Sequence, residues 1–320
     1  MITIEDIAKE AGVSIATVSR VLNNRGYVAE ATRSAVLKAA KKLGRSLDPE
    51  FDRKRVLVAY VPSGQRLIEP IMAAAENFNL SPLYKIVSSA SLKAEDVAFD
   101  GDFDGVILID GVISREELTK LRQRMPVVEC RNYNDVDREV SVMVDDVAMG
   151  YRLTRHLIET GKTRIATVRL NESISSRPHV LERMQGYRAA LAEDGLVPAK
   201  TYYRNLDDEN EDIIGELRRD AGREWDALIY PEPFEEIVEL QRLLRGDGHD
   251  VPGDIGLAAL GDSEALERSS ITATRQPIEA IAQASLFMLD SLMNERLTVT
   301  ESMQLRLQPT LSVRGSTEKQ

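Results

Sequence analysis

The sequence predicts a small all-α domain at the N-terminus, followed by a large α/β body. Three helix-like segments fill the first 44 residues, apolar runs alternate with amphipathic segments from residue 56 onward, and the length of 320 residues suits two or three domains. The charge changes at the same place. Residues 1–55 hold 11 Lys and Arg against 7 Asp and Glu, a net charge of +4. Because the whole chain has a net charge of −11, the remaining residues carry −15. A basic end on an acidic body indicates that only the first part contacts a polyanion.

Composition also excludes several classes of protein. No apolar run approaches the roughly 18 residues of a membrane span, and the opening MITIEDIAKEAG has acids where a signal peptide would have a basic and then an apolar stretch. Cys130 is the single cysteine, which excludes an intrachain disulfide and a cysteine-based metal site. We therefore expect a cytoplasmic globular protein with no membrane partner and no cofactor.

The N-terminal segment is typical of three short helices. Thr3 is placed to cap the first helix, with Asp6 at the third helical position, as in a capping box. Gly12 supplies the turn, and Ser14 caps a second helix that runs from Ile15 to about Asn23. The third helix presents an apolar face and ends at a glycine; its markers are Val36, Leu37, Ala40, Leu43 and Gly44.

Two short helices joined by a glycine turn form the helix-turn-helix motif, whose second helix can lie in the major groove of DNA. On that helix Ile15, Ala16 and Arg20 project away from the apolar face. Arg20 is the side chain able to bind a guanine through two hydrogen bonds. Three-helix units with a glycine turn also occur as plain packing modules, so the shape alone leaves both interpretations open.

The residue identities of this segment are more specific than its three-helix pattern. Residues 3–14 (TIEDIAKEAGVS) and 16–23 (ATVSRVLN) resemble the headpiece of the LacI/GalR family of bacterial transcriptional regulators. The resemblance implies that Ile15, Ala16 and Arg20 read bases. It also implies a set of contacts with the DNA backbone, with Tyr27 close to it: Thr3, Ser14, Thr17, Ser19, Asn23 and Thr32.

The junction, residues 45–55, departs from the family pattern. Members of the family usually have a longer segment here that folds on DNA into a hinge helix and wedges a leucine into the minor groove; this chain lacks that motif and is several residues short. Asp48, Glu50 and Asp52 would face phosphate at a cost. We expect a solvated linker and little DNA bending, with nonspecific attraction from Arg53, Lys54 and Arg55.

From residue 56 onward, continuous apolar strands alternating with helices indicate parallel sheets covered on both faces. The predicted strands are Val56–Val61, Leu83–Val87, Gly105–Ile109, Val127–Cys130, Val140–Val144, Arg164–Val168, Ala227–Tyr230 and Ile255–Leu260. The predicted helices are Ile68–Phe78, Glu116–Arg124, Asp146–Thr160, Val180–Asp194, Asp212–Ala221, Phe234–Arg245 and Pro277–Asn294.

The family resemblance extends over this body, through segments such as Phe103–Leu108, Arg183–Tyr187 and Val313–Thr317. It implies two Rossmann-like lobes, similar to periplasmic binding proteins of type I, joined by three crossovers with a small effector between the lobes. The expected domains are a headpiece (1–44), a linker (45–55) and a body (56–320). Within the body the N-lobe is about 56–153 plus 277–309, and the C-lobe about 154–276 plus the C-terminal tail. The crossovers are expected near Leu153, Gln276 and Pro309.

The effector residues that the resemblance implies are Arg183, Arg131, Glu232 and Gln276. Arg183 matches an arginine that binds sugar hydroxyls in sugar-responsive members; the alternative is a surface arginine on its helix. Elsewhere the chain departs from the family, since Gly261 stands where an aspartate usually faces the pocket and Arg131 where an aspartate is common. An acidic ligand would suit the arginines; the same residues could instead pair with each other in a pocket that binds nothing.

Catalytic machinery is missing from the sequence. The three histidines, His156, His179 and His249, are far apart, and there is no metalloprotease helix, nucleophile elbow or phosphate-binding loop. The acidic pair Asp145-Asp146 reads as a helix start or an exposed loop rather than a metal site. We predict a homodimeric repressor that binds a pseudo-palindromic DNA operator, controls carbohydrate-utilisation genes and responds to a small sugar-like effector. The alternatives are an effector-independent DNA-binding regulator and a soluble ligand-binding protein or enzyme.

Overall fold

A computed structural model describes residues 3–22, 27–43, 53–87, 93–97, 103–110, 113–131, 140–170, 177–205, 212–232, 234–299 and 302–318. The chain forms two compact units. The first comprises Met1–Cys130 and Ala282–Ser302, and the second comprises Arg131–Ile281 and Met303–Gln320. The lobe boundaries expected from the sequence stay a prediction; Leu153, where we expected a crossover, lies inside a helix.

The N-terminal segment folds as three helices, α1 (Ile4–Ala11), α2 (Ile15–Leu22) and α3 (Glu30–Lys42). Their apolar faces meet in one small core made of Ile7, Ala8, Val18, Val21, Leu22, Val36, Ala39 and Ala40. These positions recur every three or four residues, which is the spacing that puts side chains on one face of a helix. The predicted all-α headpiece is confirmed.

The rest of the first unit is a parallel sheet with helices. Its strands are β1 (Lys54–Tyr60), β2 (Leu80–Ile86), β3 (Gly105–Ile109) and β4 (Val127–Cys130). β1 pairs in parallel with both β2 and β3, and β3 pairs with β4. Its helices are α4 (Ile68–Ala75), α5 (Ala94–Val97) and α6 (Arg115–Arg122), together with 3₁₀ turns at Pro62–Leu67 and Glu76–Phe78.

The second unit contains a six-stranded sheet with the order β7-β6-β8-β9-β10-β12. The strands are β6 (Ile165–Leu170), β7 (Thr201–Arg204), β8 (Ala227–Tyr230), β9 (Gly256–Ala259), β10 (Thr272–Arg275) and β12 (Thr310–Ser312). All the pairings are parallel except that of β10 with β12. The unit also holds β5 (Val140–Val144) and β11 (Met303–Leu307), which pair in parallel.

The helices of the second unit cover its six-stranded sheet on both faces, as predicted for parallel strands. They are α7 (Asp146–Glu159), α8 (Pro178–Glu193), α9 (Ile213–Asp220), α10 (Glu235–Gly246) and α11 (Glu264–Arg268); α12 (Ile278–Met293) spans the boundary between the units. Ala166 and Leu228 face one apolar cluster together with Trp225. Their strand neighbours Ile165 and Ile229 face the other cluster, with α7 and α8.

Helices α7 and α8 approach each other closely through two glycines. A Cβ atom at Gly150 would lie 1.9 Å from the carbonyl oxygen of Arg183, and one at Gly186 would lie 2.0 Å from that of Val147. Any larger side chain at these positions would force the helices apart. The contact fixes the middle of α8 against the first turns of α7.

Several elements differ from the prediction. Four short strands were missed: Thr201–Arg204, Thr272–Arg275, Met303–Leu307 and Thr310–Ser312. The strand predicted at Leu83–Val87 occupies Leu80–Ile86 and contains Pro82. A proline fits there because β2 is the edge strand and hydrogen-bonds on one side only. Three of the missed strands are edge strands without a long buried apolar run, whereas Thr272–Arg275 lies between β9 and β12 and is only four residues long, with two threonines.

We predict that Gly150→Ala destabilises the second unit by about 1–3 kcal/mol, because the added methyl group meets backbone that cannot move without separating two helices. Chemical denaturation of the full chain, followed by tryptophan fluorescence, measures the change, since Trp225 lies in the core of this unit.

Gly246→Ala is the matched control. Gly246 ends α10, and a Cβ atom there would have no heavy atom within 4 Å. Replacing glycine by alanine in a helix usually stabilises it by up to about 1 kcal/mol. An equal loss of stability in both variants would contradict the assigned helix contact.

Candidate nucleic-acid interface and effector site

Side-chain caps begin both α1 and α2, and a glycine ends α1 at the turn between them. Thr3 and Asp6 make the predicted capping box: the Thr3 N–H donates to Asp6 Oδ2 at 2.8 Å, and the Asp6 N–H donates to Thr3 Oγ1 at 3.2 Å. Gly12 ends α1 with φ +68°, a left-handed conformation that favours glycine. Ser14 caps α2, since its Oγ accepts the Thr17 N–H at 3.0 Å.

The predicted base-reading residues lie on the surface of α2. Ile15, Ala16 and Arg20 are exposed, whereas Val18 and Val21 point into the headpiece core. The arrangement presents one guanidinium and two apolar groups on the outer face of a short helix. This is the pairing of base-edge hydrogen bonds and methyl contacts that the major groove can accommodate.

The residues expected to contact the DNA backbone are only partly accessible. Thr3 and Ser14 are exposed, Thr17, Ser19 and Thr32 are half-buried, and the Ser14 and Thr17 hydroxyl groups lie 2.8 Å apart. One of these hydroxyls donates its single hydrogen to the other, so the pair keeps one hydroxyl hydrogen with which to bind a phosphate oxygen. Asn23 lies outside the described residues. Tyr27 is 94% exposed just before α3, so its ring packs against nothing in the headpiece.

The body uses two of the three basic residues that were expected to attract DNA. The Lys54 ammonium donates to the Met293 carbonyl at 3.0 Å and to Asn294 Oδ1 at 2.8 Å, so it caps the C-terminus of α12. The Arg55 guanidinium lies 5.3 Å from the centre of the Phe103 ring. The backbone N–H of Arg55 donates to Asp104 Oδ2. Lys54 and Arg55 thus belong to β1, which begins two residues earlier than predicted, and their nonspecific attraction to DNA stays a prediction. The linker core, residues 44–52, lies outside the described residues.

Arg183, the main effector candidate, makes an ion pair with a carboxylate. Its Nε donates to Asp146 Oδ1 at 2.7 Å, and Asp146 is fully buried as the first residue of α7. The neighbouring Asp145 caps the same helix by accepting the Ala148 N–H at 2.9 Å. The acidic pair thus starts a helix, as predicted, but Asp146 is buried and charge-paired rather than exposed. Its bond uses one of the five N–H donors of the guanidinium.

The other three effector candidates lie after strand ends. Arg131 follows β4 with φ +52°, and its N–H donates to the Val142 carbonyl at 2.9 Å. Glu232 follows β8 and Gln276 follows β10. The carboxyl ends of parallel strands share one edge of a sheet, which is where α/β proteins bind ligands. Glu232 and Gln276 thus belong to the ligand edge of the second-unit sheet.

Two features of this edge reduce the acceptors that it offers to sugar hydroxyls. Gly261 has φ +126°, and a Cβ atom there would lie 2.8 Å from the Phe234 ring, so phenylalanine fills the space of the usual aspartate. Asp262 receives two hydrogen bonds from the Arg314 guanidinium, at 2.8 and 2.9 Å. This pair ties the C-terminal tail to β9 and β10.

Sequence reasoning missed Arg177 and His179, which stand at the start of α8. Burial, followed by the charges of Arg183, Arg177 and Arg131, lowers the pKa of His179 to about 3. His179 and Arg183 are four residues apart and share a helix face. The run Arg177-Pro178-His179 could have drawn attention to these two residues, because a proline there marks a helix start.

His156 is a buried, hydrogen-bonded residue of α7. The side chain is buried, and Nε2 lies 2.7 Å from Thr317 Oγ1, which in turn lies 2.6 Å from Thr272 Oγ1. Burial lowers the pKa of His156, an effect larger than the opposing ones of Glu318 and Glu159. Within the described ranges, no group of three or more His, Cys, Asp or Glu side chains could hold a metal ion. No helix in the same ranges is both long and apolar enough to cross a membrane.

We predict that His156→Gln reduces the loss of stability on acidification. The pKa of His156 is below 6.5 in the folded protein, so below pH 6.5 the unfolded chain binds a proton that the folded chain does not. Stability is therefore retained above pH 6.5 and falls as the pH drops below it, by at most about 1.4 kcal/mol per pH unit for this group. Denaturation curves at pH 7.5 and 5.5 measure the difference.

His249→Gln serves as the comparison, since His249 lies in a loop after α10. A larger change of pH dependence in His156→Gln than in His249→Gln assigns the effect to the buried imidazole. An unchanged pH dependence in His156→Gln would show that the buried imidazole does not couple folding to protonation.

Comparison with known proteins gives a consistent result. Residues 3–45 match the family "Bacterial regulatory proteins, lacI family", residues 94–213 match "Periplasmic binding proteins and sugar binding domain of LacI family", and residues 154–317, just over half of the chain, match "Periplasmic binding protein-like domain". The chain is 28% identical over 345 residues to the HTH-type transcriptional regulator CelR of Thermobifida fusca, covering 98% of each chain.

Two solved structures share the architecture. One, described as a transcriptional regulator CelR-cellobiose complex, has a TM-score of 0.62 and 25% identity over 99% of this chain and 100% of that one. The other, a Lac repressor dimer bound to operator and the anti-inducer ONPF, has a TM-score of 0.65 and 18% identity over 99% of each chain, which shows the common fold. With its capped recognition helix, its parallel-sheet body and these matches, the chain belongs to the LacI/GalR family of DNA-binding transcriptional regulators.

Proposed function

We propose that this protein is a cytoplasmic, non-catalytic repressor of carbohydrate-utilisation genes, which binds its operator as a homodimer and releases or tightens it when a small molecule binds the body. The observation that carries the DNA-binding part is the outer face of α2. Arg20 is exposed on that face, and the opposite face of α2 is buried in the headpiece core. The burial of that face fixes the direction in which Arg20 points. The helix meets DNA with its N-terminal end first, as in other helix-turn-helix proteins.

The sensing part of the proposal rests on the body. Its sheets are parallel, and candidate polar residues follow the ends of β8 and β10 at the ligand edge of the second-unit sheet. The relative CelR has been solved with cellobiose, which supports a sugar-like effector for this chain. A ligand that binds two conformations with different affinity shifts their populations, and DNA affinity changes with them.

An exposed apolar surface in the first unit supports the homodimer. Met72 on α4 is 55% exposed, and Leu83 and Ile86 on the edge strand β2 are 38% and 65% exposed. Large apolar side chains on an edge strand invite pairing with another chain unless a partner covers them. A two-fold axis through this surface would supply two headpieces for a pseudo-palindromic operator.

We predict that Arg20→Ala weakens binding to the specific operator by roughly 5- to 150-fold per half-site, because a bidentate arginine–guanine contact contributes about 1–3 kcal/mol. Arg20→Lys should lose most of the same specificity, since lysine keeps the charge but not the fork geometry. Footprinting of DNA upstream of the protein's own gene identifies the site, and titration at fixed salt measures both affinities.

Lys38→Ala is the control for charge alone, because Lys38 is exposed on α3 and not on the recognition helix. It should weaken specific and nonspecific DNA binding alike. If Arg20→Ala behaves like Lys38→Ala, the assignment of α2 as the reading helix is wrong.

We predict that Met72→Glu raises the dissociation constant of the dimer by roughly tenfold or more, since a charge would replace an apolar group at the centre of the proposed interface. Sedimentation velocity over a concentration series measures it. Val197→Glu, at a 75% exposed position in the second unit, is the control and should leave the dimer unchanged. A Met72→Glu protein that dimerises like the parent would place the interface elsewhere.

A further inference from the structure

The first turn of α2 presents an apolar surface to solvent. Ile15, the first residue of the helix, is 51% exposed, and Ala16 is exposed beside it. Among the described residues, Ile15 belongs neither to the headpiece core nor to the partly buried side chains that pack against that core. Since a helix of this kind meets DNA with its N-terminal end first, the aliphatic surface of Ile15 is turned toward the DNA.

The helix cap fixes the position of this surface. Ser14 Oγ accepts the Thr17 N–H at 3.0 Å, so α2 starts immediately at Ile15. Val18 and Val21 are buried on the face of α2 that packs into the headpiece core. Isoleucine is branched at Cβ, which restricts χ1, so Ile15 loses little conformational freedom when another surface covers it.

The chemistry of this surface limits what it can recognise. Ile15 and Ala16 carry no side-chain donor or acceptor, so of the three side chains predicted to read bases only Arg20 can hydrogen-bond a base edge. The alkyl group that the major groove exposes on a base edge is the C5 methyl of thymine. An aliphatic side chain against a base donor or acceptor would remove its water without replacing the hydrogen bond. The thymine methyl group is therefore the partner that fits the first turn of α2.

The spacing along α2 places this contact close to the one made by Arg20. Arg20 follows Ile15 by five residues, which corresponds to about 7.5 Å along the helix axis. Ala16 and Arg20 are one turn apart on the same side of the helix. Because base pairs stack roughly 3.4 Å apart, a thymine read by Ile15 lies within about three base pairs of the guanine read by Arg20.

We propose that Ile15, with Ala16 beside it, reads the C5 methyl group of a thymine in each half-site of the operator. This inference rests on the proposed DNA-binding function and specifies what α2 recognises besides guanine. Hydrogen bonds from Arg20 select one base pair of the half-site, and the methyl contact selects another. Loss of that methyl group lowers the affinity even when the base pair and all its hydrogen-bonding groups remain.

Uracil in place of thymine tests the contact, because the two bases differ only in the C5 methyl group. The full chain first selects its operator from a random duplex library, and Arg20→Ala identifies the guanine as the position at which base discrimination is lost. Deoxyuridine then replaces each thymine within about three base pairs of that guanine, in both half-sites at once. Fluorescence anisotropy at fixed salt measures the ratio of the two affinities, thymine duplex over uracil duplex.

At one such position we expect uracil to weaken binding roughly tenfold, since one buried methyl group corresponds to about fourfold in affinity in each of two half-sites. Ile15→Ala should bring the ratio close to one. Ile15→Val keeps a β-branched apolar side chain and should retain most of the ratio. Both variants should fold, because Ile15 lies outside the headpiece core.

Tyr27→Ala is the matched control, because Tyr27 is another large side chain exposed on the headpiece, at 94%, and lies outside α2. It should leave the thymine-to-uracil ratio as in the parent, whatever its effect on the affinity itself. The proposal is overturned if no thymine methyl group near the guanine affects binding, or if Ile15→Ala leaves the ratio unchanged.

This methyl contact and the proposed regulator fail in different ways. A selection that returns no specific operator overturns both. An operator whose binding depends on Arg20 but on no thymine methyl group overturns the methyl contact and leaves the regulator. A ratio that falls equally in Ile15→Ala and Tyr27→Ala also overturns the contact, since it would assign the effect to the headpiece as a whole.

Discussion

The backbone contact between α7 and α8 is the constraint on which the second unit depends. Two glycines, Gly150 and Gly186, let the helices approach to a distance that no side chain would permit. The same contact joins Asp146 to Arg183, because it brings the start of α7 against the middle of α8. One steric requirement thus sets both the packing on one face of the sheet and the position of the charged groups at its edge. Charge placement here follows from helix packing and needs no loop to arrange it.

The headpiece was predictable because its signals are local. Thr3 and Asp6, three residues apart, make a cap that sequence spacing alone identifies, and Gly12 marks a turn that requires a positive φ. The central strands were equally clear, since strands buried on both faces are continuous apolar runs. The edge strand Met303–Leu307 was missed although its apolar and polar residues alternate, because it is mostly exposed and lacks the continuous apolar run of a central strand.

The site was less predictable, because its partners are distant in the sequence. Arg183 and Asp146 are 37 residues apart, Arg314 and Asp262 are 52 apart, and Lys54 and Met293 are 239 apart. A single sequence shows which charges are present but not which of them cancel. The pairing of Asp262 with Arg314 removes an acid that a motif comparison would place in the ligand site, and Arg177 and His179 carry no family pattern that would have drawn attention to them. Tertiary contact decides which groups remain for a ligand.

The anchoring of Lys54 has a mechanical consequence for the way the two ends of the protein communicate. Lys54 is the first residue of β1, immediately after the linker side of the chain, and its ammonium holds the end of α12. The strand it begins is bonded to β2 on one side and to β3 on the other. A pull from the headpiece along the strand therefore loads many hydrogen bonds in shear at once, instead of unzipping them one at a time. The joint transmits tension to the sheet without peeling, so a pull on Lys54 reaches β2 and β3 together.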